Sequence, residues 1–198
     1  MQGSAQQGFT LVELMVTLAV LAIVVTFAVP DLRALVNGNR LTASSNELLA
    51  ALQTARVEAV RRNRRTVVCL SADPSAAAPS CSTGGAGGAS GWLLFVDGNR
   101  NGVYDDGAPA LLRSAAAGRG VSLRASPSIP GQLRVSYRAD GYARDAGGTA
   151  LLAGAIELCM PTDLPAENVR RLVVGPGGRV TVERRTGGGG CAAPLDPA

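Results

Sequence analysis

Residues 9 to 29, FTLVELMVTLAVLAIVVTFAV, form an apolar run whose only charge is Glu13. As a helix the run covers the roughly 30 Å hydrocarbon core of a bilayer. A carboxylate inside such a segment is costly and is kept where it has a function. An ordinary secretory signal would show a basic start, a shorter apolar stretch and a small-residue cleavage site behind it. Here the polar leader, MQGSAQQG, stands before the apolar run. The other arrangement such a run allows is a signal anchor with its glutamate lying at the membrane interface.

The segment Gly8-Phe9-Thr10-Leu11-Val12-Glu13 resembles the prepilin motif of type IV pilins and type II secretion pseudopilins. The resemblance implies a prepilin leader over residues 1–8. It also implies cleavage by a prepilin peptidase between Gly8 and Phe9, methylation of the new Phe9 terminus, and a transmembrane and assembly helix over 9–29. The protein is then stored in the bacterial inner membrane with a periplasmic body, before entering a pilus or pseudopilus beside other pilin or pseudopilin subunits. Glu13 becomes the fifth residue of the processed chain. Its carboxylate can pair with the Phe9 amine of a neighbouring subunit inside an apolar fibre, where removing either partner strands the other. The leader departs from the family pattern in carrying no Lys or Arg.

Pro30 follows the run and is expected to kink or locally open the helix, because it has no amide hydrogen to donate. Beyond it, Leu32, Leu35, Leu41, Leu48, Leu52, Ala55 and Ala59 recur at helical spacing between polar residues. The pattern predicts an amphipathic half of the helix, within residues 30–65, continuing to about residue 62 and packing its apolar face on a body formed by 66–198. A chain of 198 residues supports one such body with an appendage. Hydrophobic residues make up 46% but aromatics only 4%, so the core must be filled mainly by Val, Leu and Ala.

After Thr66 the pattern shortens to segments such as TVVCLS, GWLLFVD, ALLRSA, VSLRAS, QLRVSYR, TALLAGAIELCM, RRLVVG and GRVTVERR, separated by Gly and Pro clusters. The class that follows is α+β, a long N-terminal helix on an antiparallel sheet or sandwich. A parallel α/β sheet is disfavoured because no strand alternates with a helix. Cys69, Cys81, Cys159 and Cys191 lack metal-ligand spacing and have no histidine anywhere in the chain beside them. Two disulfides are the better reading, in keeping with an oxidising compartment. Of the three possible connectivities, the layout favours Cys69 with Cys81 and Cys159 with Cys191.

The long helix ending in ARVEAVRRNRR, the local cysteine pair, and GWLLFVDGNRNGVYDDG with LLR shortly after together resemble the GspH/FimT group. That resemblance implies a minor pilin of a type IV pilus, with an H-type minor pseudopilin of a type II secretion system as the alternative.

Two further features invite functional readings. Asp97, Asn99, Asn101 and Asp105 place oxygen donors as at the start of a calcium loop, but Ala108 stands where the twelfth-position bidentate Glu belongs. Asp and Asn also close tight turns through their own backbone, and a structured turn is the expectation there. Arginines occur in two groups, Arg56, Arg61, Arg62, Arg64 and Arg65 near the helix end, and Arg170, Arg171, Arg179, Arg184 and Arg185 in the last strands. The first group suits the negative end of the helix dipole. The second is the candidate contact for double-stranded DNA, since Arg matches phosphate oxygens bidentately. Some FimT-type minor pilins take up DNA through a C-terminal Gly-Arg-x-Arg element, and Gly178-Arg179 matches its first half, while Thr181 stands in place of the second Arg. A charged edge that keeps sheets from aggregating accounts for the same residues. With neither His nor Lys in the chain, no nucleophile has its usual activating partner, so neither an enzyme nor a cofactor is expected.

Overall fold

The computed structural model describes residues 8–82, 88–104, 110–129, 134–145 and 149–197. Leader residues 1–7 and Asp105 lie outside that set. The first element is α1, Leu11–Arg62, a helix of 52 residues, about 78 Å long at 1.5 Å per residue. Thr10 starts it, with extended backbone and an Oγ1 that accepts from the Glu13 amide at 3.3 Å. Asn63 stops it. Its φ of 51° puts it in the left-handed region, and its amide reaches back to the Ala59 and Val60 carbonyls, an end that Asn tolerates better than most side chains. Arg64 and Arg65 therefore lie beyond the helix, and Arg65 begins a strand.

Pro30 lies inside the helix and does not end it. Proline removes one rung of the ladder, the bond its amide would have made to the Thr26 carbonyl, and the turns on either side carry the helix across. The amphipathic reading needs a correction. Leu41, Leu48, Leu52, Ala55 and Ala59 are fully buried, but Leu32 and Leu35 are exposed. The body starts later than the periodicity suggested, and an early anchor to it is Asn37, whose Nδ2 donates to the Leu164 carbonyl at 2.8 Å.

Nine strands follow among the described residues: β1 (Arg65–Ser71), β2 (Gly91–Asp97), β3 (Leu111–Ala116), β4 (Ser122–Ala125), β5 (Arg134–Tyr137), β6 (Ala143–Arg144), β7 (Gly154–Cys159), β8 (Val169–Val174) and β9 (Val180–Arg185). Every segment read as a strand contains one; the two-residue β6 was too short to leave a pattern. They form two antiparallel sheets, ordered β3-β2-β1-β5-β6 and β4-β7-β8-β9. The main core lies where α1 meets both sheets. There Leu41, Leu48 and Leu52 pack with Val68, Leu94 and Tyr137 of one sheet and Leu123, Ile156 and Leu172 of the other. A smaller cluster of Val67, Leu93 and Phe95 occupies the opposite face of the first sheet beside a Cys69–Cys81 disulfide. A second disulfide joins Cys159 to Cys191.

Candidate functional site

The N-terminal part of α1 is shaped by what it does not touch. Every residue from Gly8 to Arg33 is exposed, including Phe9 at 89% and Phe27 at 76%. The first fully buried helix residue is Leu41, and from Leu11 to Arg33 about 33 Å of helix stands free of its own body. Glu13 lies in the first turn of this stalk, where a carboxylate favours the positive end of the helix dipole. Thr10 went unnoticed in the sequence although Thr-x-x-Glu is the signature of a capping box. The signal was present, hidden inside the apolar motif.

Asp97, at the end of β2, points inward and is almost fully buried. Its Oδ2 pairs with the Arg65 guanidinium and accepts from the Gly102 amide at 2.9 Å. Asn99 Oδ1 accepts from the Asn101 amide and Asn101 Oδ1 from the Val103 amide, each two residues on. These side chains close successive turns. Among the described residues no group of three or more His, Cys, Asp or Glu side chains is placed to hold a metal ion.

The five C-terminal arginines are not one surface. Arg170 and Arg171 are buried, each 5% exposed. Arg170 faces the core side of its sheet, opposite Leu158 and Arg184, and its Nη1 donates to the Glu167 and Val169 carbonyls. Burial, with Arg184 nearby, lowers its pKa below the ordinary arginine value. Arg171 lies on the outer face in a cross-strand row of alternating charge, Arg124, Glu157, Arg171 and Glu183. It donates to Glu157 at 3.1 Å and to the Leu195 carbonyl at 2.7 Å, so the C-terminal tail lies over it. Arg179, Arg184 and Arg185 are exposed. Arg179 precedes β9, next to Gly178, whose φ is +71° and where a Cβ would come within 2.9 Å of the Gly141 carbonyl. Arg184 and Arg185 end the same strand about 17 Å away at the usual rise, with carboxylates of Glu167 and Glu157 at 3.9 and 3.8 Å. Burial of two arginines and the length of β9 separate what the sequence placed together.

A long stalk helix with an exposed apolar half, seated on antiparallel sheets, is the architecture of a type IV pilin-like subunit. The chain belongs to the GspH family: the family described as "Type II transport protein GspH" matches residues 44–178, and the "Prokaryotic N-terminal methylation motif" matches residues 3–29. It is similar to the pilin-like protein PilA1 of Thermus thermophilus, 33% identical over 104 residues; the match spans 52% of this chain and about half, 55%, of that relative. Among solved structures it is similar to the type IV minor pilin FimU of Pseudomonas aeruginosa, at 20% identity and a TM-score of 0.49 over 73% of this chain and 89% of that one. It is also similar to the minor pseudopilin EpsH from the Type 2 Secretion System of Vibrio cholerae, at 11% identity and a TM-score of 0.48 over 75% and 98%. The chain is thus a structural, non-enzymatic member of the pilin family. The N-terminal methylation motif and the apolar helix behind it are those of a prepilin, held in the inner membrane before pilus assembly.

Proposed function

We propose that this chain is a minor pilin of a type IV pilus, cut between Gly8 and Phe9 and built into the fibre by α1, with Glu13 setting the register against the Phe9 amine of a neighbour. The observation that carries the reading is the free apolar stalk, exposed along its whole length from Gly8 to Arg33, with one carboxylate in its first turn. Such a surface needs a covering, first lipid and then neighbouring helices. A Glu13→Gln variant is expected to be inserted and processed normally but to be missing from sheared fibres. A variant recovered in fibres at the wild-type level would end the register role. Deletion of the gene, scored together for piliation, protein secretion and DNA uptake, separates the pilus from the type II secretion reading. Loss of secretion alone would assign the chain to a pseudopilus.

A second reading, capture of double-stranded DNA, is supported by exposed Arg179, Arg184 and Arg185. It predicts salt-sensitive, sequence-independent binding. The check is a gel shift with the full-length protein in detergent. No retardation at low salt would remove it.

A further inference from the structure

A cavity of about 780 Å³ opens at the C-terminal end of α1, between the Asn63 cap, the start of β1, the end of β2 and the turn after β5. Four guanidinium groups, those of Arg64, Arg65, Arg100 and Arg138, line it against two carboxylates, Asp97 and Asp140. Both acids are already engaged. Asp97 is paired with Arg65. Asp140 pairs with Arg144 at 2.7 Å, and the Tyr142 amide and Arg144 hold its carboxyl below the usual range, so it stays ionised and occupied. Arg64, Arg100 and Arg138 remain exposed; none of them makes a salt bridge among the described residues. Arg100 is held at a φ of +64°, a conformation a non-glycine residue rarely adopts, within the turns closed by Asn99 and Asn101.

We propose that this cavity is an oxyanion site for the phosphodiester backbone of nucleic acid, with Arg64, Arg100 and Arg138 as its phosphate contacts. The proposal rests on the DNA reading above and moves its main contact from the β9 arginines to the end of the helix. Three observations select the ligand. The groups are all guanidinium, whose planar donors match phosphate oxygens. The described lining holds no aromatic side chain and, apart from Ala139 and Gly98, nothing apolar. It therefore offers neither a stacking platform for bases nor the apolar anchor on which a protein partner would dock. Asn63 lies about 50 Å along the helix from Val29, out of reach of lipid headgroups when residues 9–29 fill the bilayer. Binding by such a site is ionic and blind to sequence.

The experiment titrates a random-sequence DNA duplex into full-length protein in neutral detergent over a salt series. Three chains are compared: wild type, the triple variant Arg64→Ala/Arg100→Ala/Arg138→Ala, and the triple variant Arg179→Ala/Arg184→Ala/Arg185→Ala. The cavity variant is expected to bind at least about tenfold more weakly and to lose about two to three units of salt slope, near 0.9 per phosphate contact. The β9 variant should weaken binding too, but less than the cavity variant does. Thermal melting accompanies each variant, and the single charge reversal Arg138→Glu gives a second reading, expected to weaken binding, if the cavity triple folds poorly. Loss confined to the β9 variant, with the cavity variant and Arg138→Glu at wild-type affinity, would overturn this site but leave the DNA reading standing. No binding by wild type would end both. Competition with inorganic phosphate and with polyglutamate tests the ligand class: displacement by polyglutamate as effective per charge as by DNA would overturn the phosphodiester assignment.

Discussion

Asp97 sits at the junction between the turn it was expected to close and the ion pair it makes. Its side chain is buried while that of Arg65 is 12% exposed, so truncating the acid leaves a guanidinium uncompensated in the interior. Losing one partner of such a pair costs about 3–5 kcal/mol, and Asp97→Ala should lower the melting temperature accordingly in a denaturation experiment. Millimolar calcium should leave the melting temperature of wild type unchanged, because a specific ion would have to raise it and Asp97 is buried with its Oδ2 already paired to Arg65 and the Gly102 amide. Asn168 is the residue the sequence did not single out. Fully buried, it donates to the Met160 and Gly190 carbonyls and accepts from the Gly187 amide. Asn168→Ala leaves those backbone groups unpaired, with an expected loss of about 1–3 kcal/mol measured by urea denaturation.

The C-terminal tail is the element that most changes the reading of its neighbours. It is tied to β7 by Cys159–Cys191, to β8 through Arg171 and the Leu195 carbonyl, and to Ser128 by Asp196. Cys191→Ser should release it, and limited proteolysis should then cut between residues 187 and 190 well before the wild type is cut. The Ser128 hydroxyl leads the contacts that hold the Asp196 carboxyl below its ordinary value. A depressed carboxylate contributes above its unfolded value, near 3.9, and the contribution fades as pH falls through the folded value. The tail is therefore expected to stay anchored at neutral pH and loosen only in acid below about pH 4, which hydrogen exchange along residues 191–197 would follow. In α1, Pro30 lies where no residue touches the body, so Pro30→Ala should leave the melting of the body unchanged in calorimetry.

At the scale of the whole molecule, the chain is a body with two chemically different extremities: an apolar stalk free at one end of α1, and a cavity lined by arginines at the other. Much of this was legible in the residues themselves. The stalk, the Gly8-Phe9 junction and Glu13 stand in one contiguous run, and the strand segments announce themselves as short apolar runs set off by Gly and Pro clusters. Local patterns of this kind need no knowledge of the rest of the chain. What only the tertiary structure decided are relations between distant segments. Arg170 and Arg171 look like surface charges until a tail more than 20 residues later covers one and the core side of a sheet takes the other. Leu32 and Leu35 continue an apolar periodicity but have no body to meet. Arg64, Arg100 and Arg138 lie far apart in sequence and converge only because β1, β2 and β5 are neighbours in one sheet. Helical and strand periodicity is written locally, whereas burial and the convergence of charges depend on which remote segments pack together.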